Sequence, residues 1–130
     1  MFFYIRWMKQ FLLVFIGGGL GSSLRYLMGF YLNSHKTGIP FGTFTANILG
    51  SLIIGIVLGY SYKNNLLSNN TILFIATGFC GGFTTFSSFA YENHLFLKNG
   101  DLTQFALYTI GTFAIGILAV YAGLFIGKSF

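Results

Sequence analysis

Four long runs dominate the chain, at residues 11–32, 41–60, 71–91 and 103–126, and Arg25 is the one ionised side chain among them. A helix needs about 20 apolar residues to cross a hydrocarbon core about 30 Å thick, and each run meets that length. A membrane β-barrel would instead show alternating segments of about 10 residues. The expected fold is therefore an all-α membrane protein of four transmembrane helices. Only 7% of the residues are charged, against about 25% in soluble domains. The connectors are short, so residues 1–130 read as a single four-span membrane domain with no room for a second.

No removable signal peptide is expected. Arg6 and Lys9 precede an apolar run too long for a signal core, and no small-residue cleavage site comes before Arg25. Tyr4 and Trp7 beside those cations read as an interfacial anchor. The net charge of +5 fits lysines and arginines at membrane boundaries rather than a nucleic-acid surface, and no basic run marks a polybasic lipid patch. Cys80 is the single cysteine, which excludes an internal disulfide; its apolar context makes it a small packing residue.

An even number of spans puts both termini on one side with Arg6, Lys9, Lys63 and Lys128, against Lys36 and Lys98 on the other, or three if Arg25 is counted with them. So slight an excess of positive charge permits insertion in both orientations. Gly17, Gly18 and Gly21 in the first span, and Gly116, Ala119 and Gly123 in the fourth, form small-residue faces where backbones can approach closely. Such faces serve packing within the chain, a homodimer, or both.

Polar groups inside hydrocarbon are costly and face a partner or a water-filled path. In the second span "GTFTANILGSLIIG" sets Thr43, Asn47 and Gly50 on one helical face. The Asn47 carboxamide suits an interhelical hydrogen bond or a donor to a passing anion. Tyr108, Thr112 and Gly116 share a face of the fourth span, either packed or lining a track. Arg25 has three open roles: snorkelling to the interface, bonding free carbonyls of a broken neighbour, or drawing anions to a vestibule. Glu92 reads as lying just beyond the third span and Asp101 as a loop residue, so no acidic carrier stands at a span centre. His35 and His94 have no spaced partners for a metal site. No nucleophile–base pair or phosphate loop points to an enzyme.

The third span is the unusual one. "ATGFCGGFTTFSSFAYE" clusters Gly78, Gly81 and Gly82, then adds hydroxyls and phenylalanines where a uniform lipid-facing helix needs none. The glycines are expected to permit a break, and non-helical backbone at membrane depth requires protein or a polar cavity around it. A break exposes carbonyls that suit a cation and amides that suit an anion. Phe86 and Phe89 share a helical face, with Thr85 and Ser87 as nearby hydroxyl donors. A phenyl ring has a positive edge, so ring edges can touch a small anion without trapping it.

"GGGLGSSLRY", "GTFTANILGSLIIG" and "GFCGGFTTFSSF" together resemble the signature segments of the Fluc (CrcB-like) fluoride channel family. The resemblance covers nearly the whole chain. It implies passive fluoride export across a bacterial inner membrane by an antiparallel, dual-topology homodimer with two pores. It places Phe86, Phe89 and Asn47 in the pore, with Tyr108 and Thr112 in the fourth-span polar track. It also implies a structural Na+ at the dimer centre, held by backbone carbonyls of Gly81 and Thr84. Thr85 and Ser87 join the pore residues, and Thr43 and Arg25 the structural or vestibule set. Ser22, Ala46 and Gly116 depart from the usual pattern. A competing design, the small multidrug-resistance-like proton antiporter, needs a carboxylate in its first span, and this chain has none there.

Overall fold

The computed structural model describes residues 1–34, 38–65 and 67–130. Lys36, counted above for topology, and His35, weighed as a metal ligand, lie outside the described residues. Among the described residues four helical segments are long and apolar enough to cross a membrane: Phe2–Leu32, Phe41–Lys63, Asn69–Lys98 and Leu102–Lys128. The chain is thus a helical multi-pass membrane protein.

The first span is α1 (Phe2–Leu32) and the second α2 (Phe41–Asn64). The third is composite: α3 (Asn69–Ile72), a π-helical stretch (Leu73–Cys80), α4 (Gly81–Phe83) and α5 (Phe86–Lys98). The fourth is α6 (Leu102–Lys128). The helices outrun the apolar runs, because charged residues near a helix end snorkel without stopping it. Glu92, read from the sequence as past the third span, consequently lies inside α5.

Local chemistry sets the ends. Gly100 takes the left-handed φ of 72° that stops α5, and Asp101 then accepts the Gln104 amide at 3.3 Å to cap α6. Before α2, the Asn33 Oδ1 accepts the amides of Gly42 and Thr43 at 2.7 and 3.3 Å. Those amides are orphan donors of the first helical turn.

The helices pack as two pairs: α2 along α6, and α1 along the π-helical stretch and α4. Both seams are made of glycine. A Cβ at Gly55 would lie 2.5 Å from the Val120 carbonyl oxygen, and one at Gly59 would lie 2.6 Å from that of Leu124. Gly17 and Gly21 are the buried residues of α1, with the backbone of residues 74–83 directly above them. The stripes are therefore used within the chain, at Gly17, Gly18 and Gly21 against the third span and at Gly123 against α2.

The glycines of the third span do not open it. Gly81 is right-handed helical at φ −61°, and Gly78 and Gly82 give up their Cβ to let Gly17 and Gly18 approach. The extended residues are Thr84 (φ −85°, ψ 157°) and Thr85 (φ −151°, ψ 123°). β-Branched residues favour such dihedrals, so threonine supplies the irregular backbone and glycine supplies the proximity.

A Cβ at Gly21 would strike the Phe79 carbonyl and approach the Phe83 nitrogen at 2.7 Å, whereas one at Gly19 meets nothing within 4 Å. Gly21→Ala should destabilise the fold by about 1–3 kcal/mol through overpacking. Gly19→Ala should leave the thermal midpoint in detergent essentially unchanged. Equal midpoints for the two variants would contradict this seam.

Candidate functional site

The site is built where the third span leaves helical geometry. Thr84 makes the last regular bond, its N–H donating to the Cys80 carbonyl at 3.0 Å. In a continuous helix the Thr85 N–H would go to Gly81. It goes instead to Asn47 Oδ1 at 2.8 Å, and Asn47 Nδ2 donates back to the Thr85 carbonyl at 3.2 Å. One carboxamide thus satisfies both backbone polar groups of one residue and retains a second N–H.

Thr85 also starts the next helix. Its hydroxyl accepts the Ser88 amide at 3.2 Å, and lies 3.3 Å from the Ser87 hydroxyl. The Ser88 amide is the one a continuous helix would send to the Thr84 carbonyl. The carbonyls of Gly81 and Thr84 therefore both lose their regular helical partners. Gly82 is served from the other flank: Arg25 Nε donates to its carbonyl at 3.0 Å and the Ser22 hydroxyl at 3.4 Å. Of the three roles open to Arg25, the bond to a carbonyl of the interrupted neighbour is the one its geometry makes.

A groove of about 490 Å³ runs beside this opening. Asn47, Thr85, Phe86, Phe89 and Thr112 line it, and so do Gly81 and Thr84. The Thr112 hydroxyl is buried with no hydrogen-bond partner, an arrangement that costs about 1–3 kcal/mol unless something else engages it. Phe86 and Phe89 stand 6.0 Å apart, centroid to centroid. Phe86 is exposed on the surface of the chain while Phe89 is buried, stacked on Tyr108 at 5.1 Å and meeting Phe113 edge-on at 5.8 Å.

Thr43, Tyr108, Ser87 and Arg25 do not line this groove. Thr43 and Tyr108 converge on Glu92: the Thr43 hydroxyl donates to one carboxylate oxygen at 2.7 Å and the Tyr108 phenol to the other at 2.9 Å. The next residue of α5 makes a further tie, the Thr109 hydroxyl donating to Asn93 Oδ1 at 3.1 Å. Glu92 is the residue that sequence reasoning missed, because the apolar run stops at Tyr91 while the helix does not. The signal was the pair of polar residues at comparable depth in the second and fourth spans, Thr43 and Tyr108, which need a common partner.

Among the described residues no cluster of His, Cys, Asp and Glu is placed to hold a metal ion. Apolar helices around an opened span, with amide, hydroxyl and phenyl groups facing one groove, have the makings of a membrane permeation protein. The chain belongs to the CrcB-like family: the family model described as CrcB-like protein, Camphor Resistance (CrcB), matches residues 12–124. A protein of Gloeothece citriformis named fluoride-specific ion channel FluC is 51% identical over 122 residues, covering 93% of this chain and 98% of its own. Proteins of the same name from Chlorobium phaeobacteroides (44% over 124 residues; 93% of this chain, 96% of the relative) and Bacteroides fragilis (42% over 127; 95% and 99%) are also similar. These names are those of channels, not enzymes.

Asn47→Ala removes both of its bonds to the Thr85 backbone. Losing them should raise hydrogen exchange of the amides at residues 85–88 by about fivefold or more, as expected for about 1 kcal/mol of local protection. Exchange in α6 should stay as it was. Unaltered exchange at residues 85–88 would contradict the latch.

Proposed function

We propose that the chain is a fluoride channel of a bacterial inner membrane, letting the anion leave down its electrochemical gradient and so relieving fluoride toxicity. The observation that carries this reading is the single groove holding Asn47, Thr85, Phe86, Phe89 and Thr112 beside the extended residues of the third span. Relatives named as fluoride-specific channels support the choice of ion.

Fluoride is small and strongly hydrated, so its passage needs donors that replace water one after another. The unsatisfied Thr112 hydroxyl, the second N–H of Asn47 and the Thr85 and Ser87 hydroxyls are suitable. The positive edges of Phe86 and Phe89 add attraction with no full charge to hold the ion. Arg25 is tied to Gly82 and does not line the groove. Thr43 and Tyr108 act by fixing Glu92, since their protons already point to its carboxylate.

The working unit in this reading is an antiparallel homodimer. Gly81, Phe86 and Ser87 are exposed on one protomer, beside peptide groups without helical partners. Lipid cannot satisfy such backbone, whereas a covering protein surface can. The Gly81 and Thr84 carbonyls fit a structural sodium ion, because oxygen ligands suit a hard cation and both carbonyls lack their regular helical donors. Such an ion would supply positive charge between the freed carbonyls. Two copies would offer four oxygens.

Fluoride-electrode efflux from reconstituted vesicles tests the proposal. The wild-type chain should release fluoride far faster than chloride. Phe86→Ile and Phe89→Ile should each slow fluoride release by about fivefold, the scale of one lost aromatic contact of about 1 kcal/mol, with the assembly state preserved. Equal fluoride and chloride release would overturn the ion assignment; undiminished release in both variants would overturn the role of the rings.

A further inference from the structure

The start of α1 carries a second feature, distant from the groove and ahead of residue 12, where the family match begins. Arg6 and Lys9 lie one turn apart and open onto a cleft of about 510 Å³ with Gln10, Ser68, Asn69 and Asn70 on its walls. Among the described residues neither cation makes an ion pair or hydrogen bond. The chain has only two acidic side chains, and both are engaged elsewhere: Glu92 by Thr43 and Tyr108, Asp101 as the cap of α6. The positive charge of this cleft is thus left to be balanced from outside the protein.

A second cavity, of about 390 Å³, adjoins the first along α1 and shares Ile5 and Lys9 with it. Its remaining walls are Met8, Leu12, Leu13 and Ile16. It runs from the cationic end of the helix toward the apolar run. A polar, cationic cleft continuous with an apolar groove matches an amphiphile in both parts. Trp7 next to it stacks on Phe11 at 5.9 Å, and Phe11 on Phe15 at 6.5 Å, an aromatic ladder of the kind that sets a helix at headgroup depth.

We propose that this composite cleft binds an anionic phospholipid. Arg6 and Lys9 take the headgroup phosphate, with Gln10, Asn69 and Asn70 as hydrogen-bonding neighbours, and the groove from Ile5 to Ile16 takes an acyl chain. Basic pockets between transmembrane helices at the membrane surface are suited to anionic headgroups. The clamp joins α1 to the start of the third span, the two elements whose glycine seam lies deeper in the membrane.

Native mass spectrometry of the purified full-length chain, titrated with phosphatidylglycerol or phosphatidylcholine, tests the assignment. The wild type should retain phosphatidylglycerol about 25-fold more tightly than phosphatidylcholine. Each cation near a charged headgroup accounts for about a fivefold gain, so the Arg6→Gln/Lys9→Gln double variant should bind the two lipids alike. Lys98→Gln, which removes an exposed cation at the end of α5, should behave as the wild type. The proposal falls if the double variant keeps the preference or if Lys98→Gln loses it equally. It falls too if inorganic phosphate at matched concentration displaces the lipid fully, which would make this a free-phosphate site. A changed subunit count in the double variant would make the cleft an interface between copies, and that outcome also overturns it.

Discussion

The pair of hydrogen bonds between the Asn47 carboxamide and the Thr85 peptide is the constraint on which the rest of the structure depends. A peptide that leaves helical geometry inside hydrocarbon has no water to bond, and each unsatisfied group there costs several kcal/mol. Asn47 answers both the N–H and the carbonyl at once. It can do so because α2 is held closely against α6 by the glycines of their seam. On the opposite flank Arg25 and Ser22 of α1 serve the Gly82 carbonyl. The interrupted span is pinned from both sides, and each side satisfies a different liberated group.

What remains unsatisfied is then informative. The Gly81 and Thr84 carbonyls have lost their helical donors, the Thr112 hydroxyl is buried without a partner, and one N–H of Asn47 is left over. All of these groups border one groove. Phe89 closes its far side by stacking on Tyr108, whose phenol is fixed in turn by Glu92. The same four helices therefore frame this groove and pack its aromatic wall. Such unpartnered groups are unfavourable for stability alone, and they are the natural partners for ions proposed to occupy the path and the dimer centre.

Much of this was legible before any coordinates. Apolar runs of membrane length, with Arg25 the one charge among them, define the spans, and an asparagine and hydroxyls within such runs mark the positions that need a polar partner. Asn47, Thr85, Phe86, Phe89 and Thr112 do meet in one groove. Other features depend on tertiary placement. Gly78, Gly81 and Gly82 look like helix breakers in a string of letters, yet Gly81 is helical, the missing Cβ atoms of Gly78 and Gly82 serve approach to α1, and the neighbouring threonines carry the extended dihedrals. The π-helical winding from Leu73 to Cys80 leaves no trace in an apolar run, since no polar face marks its period. Glu92 was hidden by equating the end of the apolar run with the end of the helix. The cleft at Arg6 and Lys9 needed the fold as well, because its other wall comes from residues 68–70.

The most direct test of the latch is a solid-state NMR measurement on the chain in lipid bilayers. Asn47 would be labelled with ¹³C at Cγ, Thr85 with ¹⁵N at its amide, and Gly81 with ¹³C at its carbonyl. The structure predicts strong dipolar recoupling between the Thr85 amide nitrogen and the Asn47 side-chain carbon. A Thr85 amide coupled instead to the Gly81 carbonyl carbon, with none to Asn47, would mean a continuous helix and would contradict the account at its centre.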